Sequence, residues 1–239
     1  MWWSILLAIL IIFLLYCLLP SYWARNRSKK VLRKGQTQKK QIALTFDDGP
    51  NPNYTPRLLD ILKEHQVTAT FFTMGKQAKL YPDIIKRMDA EGHALGIHSY
   101  SHRHAWLMSP TRTIRDMIQT YNILEHILGN PPKWYRPPWG TFNLISIFTA
   151  ERLDLKTAYW SIEAQDWDKN TTVEHIYNTV IKKVHPGAII VLHDNQGAPG
   201  APERTLKALP TIIKSLKGQG YEFVSLDRMK GEYYAKANN

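Results

Sequence analysis

The sequence predicts an α/β protein, a (β/α)7-type distorted barrel preceded by an N-terminal transmembrane helix. Apolar runs of strand length alternate with amphipathic helical stretches from Gln41 onward, and such alternation is typical of a parallel sheet with right-handed crossovers. Seven strand-like runs fall within roughly 200 residues, which suits a barrel better than an open sheet. An uncharged apolar segment stands in front of them.

Seven strand-like runs and six helical stretches follow a basic segment. The helical stretches lie at 56–66, 82–92, 113–129, 144–154, 172–184 and 203–220. Several of the helical stretches end in a glycine, as helices often do at their carboxyl ends, and Gly92, Gly129 and Gly220 are examples. The strand-like runs are IALTF (42–46), ATFFTM (69–74), ALGIHS (94–99), WYRPP (134–138), TAYWSI (157–162), AIIVLH (188–193) and EFVSL (222–226).

The apolar segment Trp2–Leu19 reads WWSILLAILIIFLLYCLL and carries no charge. At about 1.5 Å of rise per residue it is roughly 27 Å long, close to the thickness of a bilayer's hydrocarbon core. Its start lacks the basic residues of a signal peptide, and its end lacks a small-x-small cleavage site. We therefore predict an uncleaved anchor over residues 1–23 that contacts membrane lipid.

The formal net charge of +11 is concentrated in one segment, which we interpret as a basic tether over residues 24–40. It holds eight Lys and Arg residues and no acid, so about +3 remains for the rest of the chain. A solvated tether is one interpretation, and binding to anionic lipid headgroups or to an acidic wall polymer is another. No basic stripe with interleaved aromatic residues continues into the domain, so we expect no nucleic-acid partner. The sequence indicates no obligate protein partner.

Cysteine content excludes two classes of site. The chain has one cysteine, Cys17, and it lies in the apolar segment. A disulfide framework and a cysteine-ligated zinc site are therefore both ruled out.

Ionisable side chains lie at the ends of five of the seven strand-like runs. In a barrel of this kind the carboxyl ends of the strands share one rim, so we expect these side chains to lie close together. The residues are Asp47 and Asp48 at the end of the first run, His98 and His102 at the third, Arg136 at the fourth, Asp166 (followed by Trp167) beyond the fifth, and His193 and Asp194 at the sixth.

His98 and His102 are four residues apart, a spacing that would place both rings on one face of a helical turn. Two histidines with one carboxylate form a catalytic metal site that keeps positions open for water and substrate. Taken alone, such a pair also fits solvated or core histidines.

Five motifs together resemble one known family. TFDDGP (45–50), HSYSH (98–102), RPPWG (136–140), DW (166–167) and IVLH (190–193) occur in the order and spacing of the polysaccharide deacetylases, the NodB-homology domain of carbohydrate esterase family four. The resemblance covers Gln41 to about Leu226. We accordingly place a catalytic domain at 41–230 and a tail at 231–239.

The resemblance implies a metal centre and a general base. Asp48, His98 and His102 would bind a divalent metal ion, for which we expect Zn²⁺, with Co²⁺ or another divalent ion as alternatives. Asp47 would take a proton from the attacking water, and Arg136 would hold Asp47 in place by a charge-assisted hydrogen bond.

The resemblance also implies a general acid and a substrate pocket. His193 would protonate the leaving amine, and Asp166 would orient His193 and favour its imidazolium form. The backbone N–H of Trp139 would stabilise the oxyanion of the tetrahedral intermediate. The pocket for the acetyl group would be lined by Trp139, Trp167, Ile190 and Leu192.

Three positions depart from the family pattern, and none of them is a metal ligand, the base or the acid. Glu163 stands where an aspartate is usual, Trp139 where tyrosine is commoner, and Ile190 where leucine is usual. We therefore expect an active enzyme with a shifted substrate preference.

By this resemblance the chain is a metal-dependent deacetylase. Its expected substrate is the N-acetyl group of N-acetylglucosamine units in peptidoglycan or chitin-type glycans. One alternative is an O-acetyl esterase acting on xylan-like glycans. Another is a membrane-tethered glycan-binding protein with an inactive site, although the complete set of site residues argues against it.

Membrane orientation is predicted in opposite directions by two features. Substrates of the family lie mostly outside the cytoplasm, which favours a single-pass protein with an extracytoplasmic catalytic domain. The basic segment after the helix favours the cytoplasm by the positive-inside rule, although long domains can translocate against such a bias. We expect the extracytoplasmic arrangement.

Overall fold

The computed structural model describes residues 2–35 and 39–229, so the predicted tail at 231–239 lies outside the described residues. A continuous N-terminal helix spans Trp2–Asn26, and by length and composition it could cross a membrane. It consists of α1 (Trp2–Phe13), a π-helical segment (Leu14–Leu18) and α2 (Leu19–Asn26).

Among the described residues, the centre of the domain is a sheet of nine strands, all paired in parallel. They follow the order β1-β6-β5-β4-β3-β2-β8-β7, and β9 pairs with β2. The sheet is curled. Because the outer strands β1 and β7 do not pair with each other in the described part of the chain, the curled sheet is an open half-barrel and not a closed barrel. The strands are β1 (Val31–Leu32), β2 (Gln41–Asp47), β3 (Thr70–Thr73), β4 (Ala94–Ile97), β5 (Trp134–Tyr135), β6 (Lys156–Ala158), β7 (Ile162–Glu163), β8 (Ile189–His193) and β9 (Glu222–Phe223).

Helices cover the outer face of the sheet, and they confirm the predicted α/β class. Each of the six predicted helical stretches forms a helix, and the short α4 was not predicted. They are α3 (Thr55–Glu64), α4 (Gly75–Leu80), α5 (Pro82–Ala90), α6 (Pro110–Leu128), α7 (Leu144–Arg152), α8 (Val173–Lys183) and α9 (Ala201–Gly218).

Several predicted strands are longer than the observed ones; the run 222–226, for example, forms a strand only over Glu222–Phe223. The run 134–138 pairs only as far as Tyr135, because the two prolines that follow Arg136 supply no N–H for a ladder. The run 157–162 divides into β6 and β7, which lie at different places in the sheet order.

Side chains of the central strands alternate between two layers. Leu44 and Phe46 on β2, with their register partners Ile190 and Leu192 on β8, belong to the large core under the helices. The intervening residues point to the inner face of the half-barrel, since successive side chains on a strand face opposite sides. This alternation directs Asp47 and its register partner His193 to the inner face together.

Part of the segment interpreted as a tether belongs to the fold. Strand β1 pairs with β6, aligning Val31 with Thr157. Ala24 is fully buried in the core, and Arg33 Nη2 donates to the carbonyls of Ala24 and Ser28 at 2.8 Å each. Two apolar residues inside a basic run are too short for a recognisable strand pattern, yet they suffice to extend a sheet edge.

The second half of the N-terminal helix packs against the domain. Tyr16 Oη donates to the carbonyl of Met108 at 3.0 Å, and Ser21 Oγ accepts from the N–H of Phe142 at 3.2 Å. Helix α1, by contrast, has no buried residue. The apolar helix therefore has an exposed half, α1, which meets the domain at its end through the Phe13 ring on Trp106, and a half that is a structural part of the domain.

Candidate active site

The two acids of TFDDGP, Asp47 and Asp48, point in different directions, because Asp47 ends a strand and Asp48 has a left-handed backbone conformation. Asp47 is the last residue of β2, and on the inner face its Oδ1 accepts a hydrogen bond from Arg136 Nη1 at 2.7 Å. Asp48 follows with a φ of 76°, a conformation that costs a residue with a Cβ about 1 kcal/mol or more. That turn directs the Asp48 carboxylate toward two histidines, so neighbouring acids have different surroundings.

The Asp48 carboxylate faces His98 and His102. Its Oδ1 lies 3.0 Å from His102 Nε2 and 3.4 Å from His98 Nε2, and one ligand atom from each of the three residues lies within 4.8 Å of the others. This buried oxygen accepts no hydrogen bond of regular geometry from any described residue. An orphaned buried acceptor between two imidazole nitrogens fits a bound cation.

The tautomer of His98 follows from its second ring nitrogen. His98 Nδ1 lies 2.8 Å from the carbonyl oxygen of Arg136, and because a carbonyl only accepts, Nδ1 carries the proton. In the neutral ring the lone pair of Nε2 then faces Asp48, as a metal ligand requires. Burial raises the pKa of Asp48, but the two neighbouring imidazoles of His102 and His98 outweigh burial and hold that pKa well below its usual range.

A loop, rather than the helical turn we expected, brings the two histidines together. His98 comes directly after β4, and His102 lies three residues beyond the left-handed Ser99. The N–H of His102 donates to Ser99 Oγ at 2.8 Å, and His102 itself has a φ of 56°. The helical interpretation of the four-residue spacing was wrong, because both positive φ values are incompatible with a right-handed helix.

Arg136 lies fully buried beneath the acids and holds Asp47 in place. Its Nη1 also donates to Thr45 Oγ1 at 2.8 Å, and its Nη2 donates to the carbonyl of Tyr159 at 2.9 Å. The guanidinium lies over the ring of Phe72, 4.1 Å from its centroid. These contacts fix Oδ1 of Asp47 and leave Oδ2 on the side of His98, 3.9 Å from its Nε2.

His193 and Asp166 form a second ionisable pair across the rim from the histidine ligands. Asp166 Oδ1 lies 2.8 Å from His193 Nδ1, and its Oδ2 accepts from the His193 backbone N–H at 2.8 Å and from Thr205 Oγ1 at 2.7 Å. Burial lowers the pKa of His193, but the Asp166 carboxylate outweighs burial and, with smaller effects from Asp48 and Asp47, raises that pKa to about 10. A bound divalent cation would oppose this rise.

A cavity of about 320 Å³ joins these groups. It is lined by the three candidate ligands, by Asp47 and His193, and by two exposed indoles. Trp139 is 53% exposed and its ring centroid lies 4.2 Å from that of His102, while Trp167 is 40% exposed. Aromatic faces at a cavity mouth are well suited to packing against a sugar ring.

The structure does not bring Ile190 and Leu192 to this cavity. Both are fully buried in the core under the helices, because they alternate with His193 along β8 and so face the opposite side. Val191 lines the cavity instead. Counting back two residues from His193 in the sequence would have identified it.

Arg25, Trp160 and Gln196 also line the cavity and were not predicted. Glu163, the departure from the family's aspartate, lies in the same lining and accepts a long hydrogen bond of 3.4 Å from Trp167 Nε1. Asp194, in contrast, is buried and accepts from Thr55 Oγ1. A Cβ on Gly49 would lie 2.2 Å from that carboxylate, so glycine is required in the TFDDGP turn.

Comparison with known proteins identifies the family of this chain. The polysaccharide deacetylase family matches residues 34–158. A peptidoglycan-N-acetylglucosamine deacetylase of Bacillus cereus is 37% identical over 195 residues, which covers 82% of this chain and 70% of that protein. The chain belongs to the polysaccharide deacetylase family.

Other members of the polysaccharide deacetylase family are similar over most of their length. The peptidoglycan-N-acetylmuramic acid deacetylase PdaA of Bacillus subtilis is 38% identical over 202 residues, covering 83% of this chain and 74% of PdaA. The crystal structure of a peptidoglycan N-acetylglucosamine deacetylase superposes with a TM-score of 0.80 at 34% identity, covering 87% of this chain and 95% of that one. The predicted family and fold are both confirmed.

Proposed function

We propose that this polysaccharide deacetylase is a metal-dependent hydrolase of the N-acetyl groups on N-acetylglucosamine units of peptidoglycan or chitin-type glycans. The observation that carries the proposal is the convergence of Asp48, His98 and His102 on one point beside Asp47 and His193. The names of the similar proteins support peptidoglycan as the polymer.

The donor set favours Zn²⁺ as the divalent cation. Two imidazole nitrogens and one carboxylate oxygen are typical of catalytic zinc, and the N–H of His98 on the Arg136 carbonyl is the kind of outer contact that orients a ligand. When bound, the ion would polarise the acetyl carbonyl and lower the pKa of the attacking water.

Asp47 is the general base in this proposal. Its Oδ1 is held by Arg136, so Oδ2 is the oxygen available to take a proton from the attacking water. The water oxygen bonds to the acetyl carbon, and negative charge develops on the carbonyl oxygen. The backbone N–H of Trp139 would donate to that oxygen.

His193 is the general acid that completes the reaction. When the bond between the acetyl carbon and the sugar nitrogen breaks, His193 gives its proton to the nitrogen, which leaves as an amine together with acetate. Asp166 keeps Nδ1 of His193 occupied and so points Nε2 into the cavity. Trp139 and Trp167 would contact the sugar, and Val191 takes the place at the acetyl methyl that we had predicted for Ile190 and Leu192.

The Asp166→Asn substitution is expected to move the alkaline limb of the kcat profile to lower pH. Removing the carboxylate charge lowers the pKa of His193, so the proton needed for the leaving amine is lost at a lower pH. Asp168→Asn is the matched control, because Asp168 accepts from the Asn170 N–H and does not contact His193. An alkaline limb that stays in place in the Asp166 variant would exclude His193 as the acid.

We further propose that the N-terminal helix anchors an extracytoplasmic catalytic domain. The exposed half, α1, has no buried residue and presents apolar side chains that lipid could contact. Ser21 and Ala24 are buried in the domain, which favours retention of the helix over its removal as a signal sequence. The basic segment favours the opposite orientation, and protease digestion of intact spheroplasts distinguishes the two, because only an extracytoplasmic domain is cleaved.

Parallel assays with three acetylated glycans distinguish the proposal from the esterase and binding-protein alternatives. The full-length protein with zinc is incubated with N-acetylated chitooligosaccharide, with peptidoglycan and with O-acetylated xylan. We expect free amines and acetate from the first two. Acetate from xylan alone would favour the esterase, and glycan binding without acetate release would favour an inactive site.

A further inference from the structure

The N-terminal helix contributes a cation to the catalytic cavity. Arg25, on the last turn of α2, lines the same cavity as Asp48 and His193. Its guanidinium carbon lies 5.3 Å from the centroid of the Tyr159 ring. No described carboxylate oxygen lies within 4.0 Å of an Arg25 side-chain nitrogen. The positive charge of Arg25 is therefore available to an anionic ligand.

The backbone at Arg25 is held in position by the domain. Arg33 donates to the carbonyls of Arg25, Ala24 and Ser28 at the end of the helix, and the neighbouring Ala24 is fully buried. The point from which the Arg25 side chain extends is therefore fixed, and the side chain itself contacts Tyr159. It extends over Tyr159, one wall of the cavity.

Arg25 lies on the same wall of the cavity as the residues that hold the proposed base, Asp47. The carbonyl of Tyr159 accepts from Arg136 Nη2, and Arg136 Nη1 binds Asp47. A sugar whose acetamido group reaches Asp47 would therefore present its adjacent substituents close to Arg25. A cavity of about 320 Å³ leaves room for a substituted sugar ring at this place.

We infer that Arg25 is a specificity-determining residue that binds an anionic substituent, a carboxylate or a phosphate, on the acetylated sugar. A neutral N-acetylglucosamine oligomer offers this guanidinium hydroxyl acceptors but no anionic partner. N-acetylmuramic acid does, since its lactyl carboxylate is carried on the ring carbon next to the acetamido carbon. A phosphate at the reducing end of a lipid-linked glycan is the other source of the same chemistry, and a guanidinium recognises either by paired hydrogen bonds. This inference rests on the proposed function.

The test compares Arg25→Gln with Arg27→Gln in the full-length, zinc-loaded protein. Arg27 caps the same helix and is exposed, but it is not part of the cavity lining. Three substrates are used: neutral chitotetraose, a glycan fragment containing N-acetylmuramic acid, and N-acetylglucosamine oligomer 1-phosphate. We expect Arg25→Gln to raise KM about tenfold for an anionic substrate, with kcat unchanged and chitotetraose unaffected. Arg25→Lys should recover part of the loss.

The pattern across substrates identifies the anion. A KM effect confined to the muramic fragment assigns the carboxylate, and one confined to the 1-phosphate assigns the phosphate. An equal effect on chitotetraose, or no effect on any substrate, overturns the inference. If the wild type deacetylates nothing, the proposed function fails, and calorimetric binding of the same three ligands to the wild type and Arg25→Gln still decides whether Arg25 binds an anion.

Discussion

Replacing Asp47 with asparagine is expected to lower kcat by about 10²- to 10⁴-fold while leaving zinc affinity nearly unchanged. Asparagine cannot take a proton from water, but its amide oxygen can still accept the hydrogen bond from Arg136 that Asp47 Oδ1 now accepts. Steady-state kinetics and calorimetric zinc titration of the same preparation measure the two effects separately.

A control is needed because Asp47 is also the partner of a buried charge. Arg136 is fully buried, and removing one member of a buried ion pair costs about 3–5 kcal/mol when nothing replaces it. Thermal melting of the Asp47→Asn variant shows whether the retained hydrogen bonds to Thr45 and the Tyr159 carbonyl suffice. Asp60→Asn, which alters an exposed ion pair with Arg87, is the matched substitution away from the site. Full activity in a folded Asp47→Asn protein would exclude Asp47 as the base.

The second large effect is expected from Asp48→Asn, and it concerns the metal. Loss of the charged ligand should weaken zinc binding by about 100-fold or more, since even outer contacts to a metal ligand contribute about 10- to 100-fold. The neutral amide oxygen is a weaker ligand than the carboxylate oxygen that now faces His102 and His98. Activity should fall at low zinc and recover in part when zinc is raised.

The Asp47→Asn and Asp48→Asn variants should respond differently to zinc, because one acid is the proposed base and the other the proposed metal ligand. Excess zinc should restore Asp48→Asn in part and Asp47→Asn not at all. If zinc affinity in Asp48→Asn equals that of the wild type while activity is lost, Asp48 is not a ligand and the metal centre is wrongly placed.

Sequence patterns predicted those parts of the fold that repeat over several residues. The long buried strands β2 and β8 and the amphipathic helices have periods that a sequence displays directly. Strand β1 has two residues inside a basic run, so its pairing with β6 depends on tertiary contacts that no local pattern shows. The loop that turns at Ser99 and His102 was mistaken for a helical turn for the same reason.

In the candidate site, too, some residues could be predicted from sequence motifs and others depended on the tertiary structure. The motifs that hold the two acids, the two histidines of the third run, Arg136 and His193 are informative by their order alone. The structure brings five of these residues to one cavity, with Arg136 buried beneath it and bonded to Asp47. Ile190 and Leu192 were misassigned because a motif does not state which face of a strand each residue occupies. Arg25 could not be found from sequence, because its place beside Tyr159 depends on how the N-terminal helix packs on the domain.

Zinc-dependent deacetylation is the most direct test of the account. The full-length protein is stripped with a chelator, then titrated with zinc while free amines are counted on N-acetylated peptidoglycan. We predict no reaction in the stripped protein and recovery that saturates at one zinc per chain, since Asp48, His98 and His102 form a single site. Undiminished amine release by a protein shown to be metal-free would contradict the proposed metal-dependent mechanism.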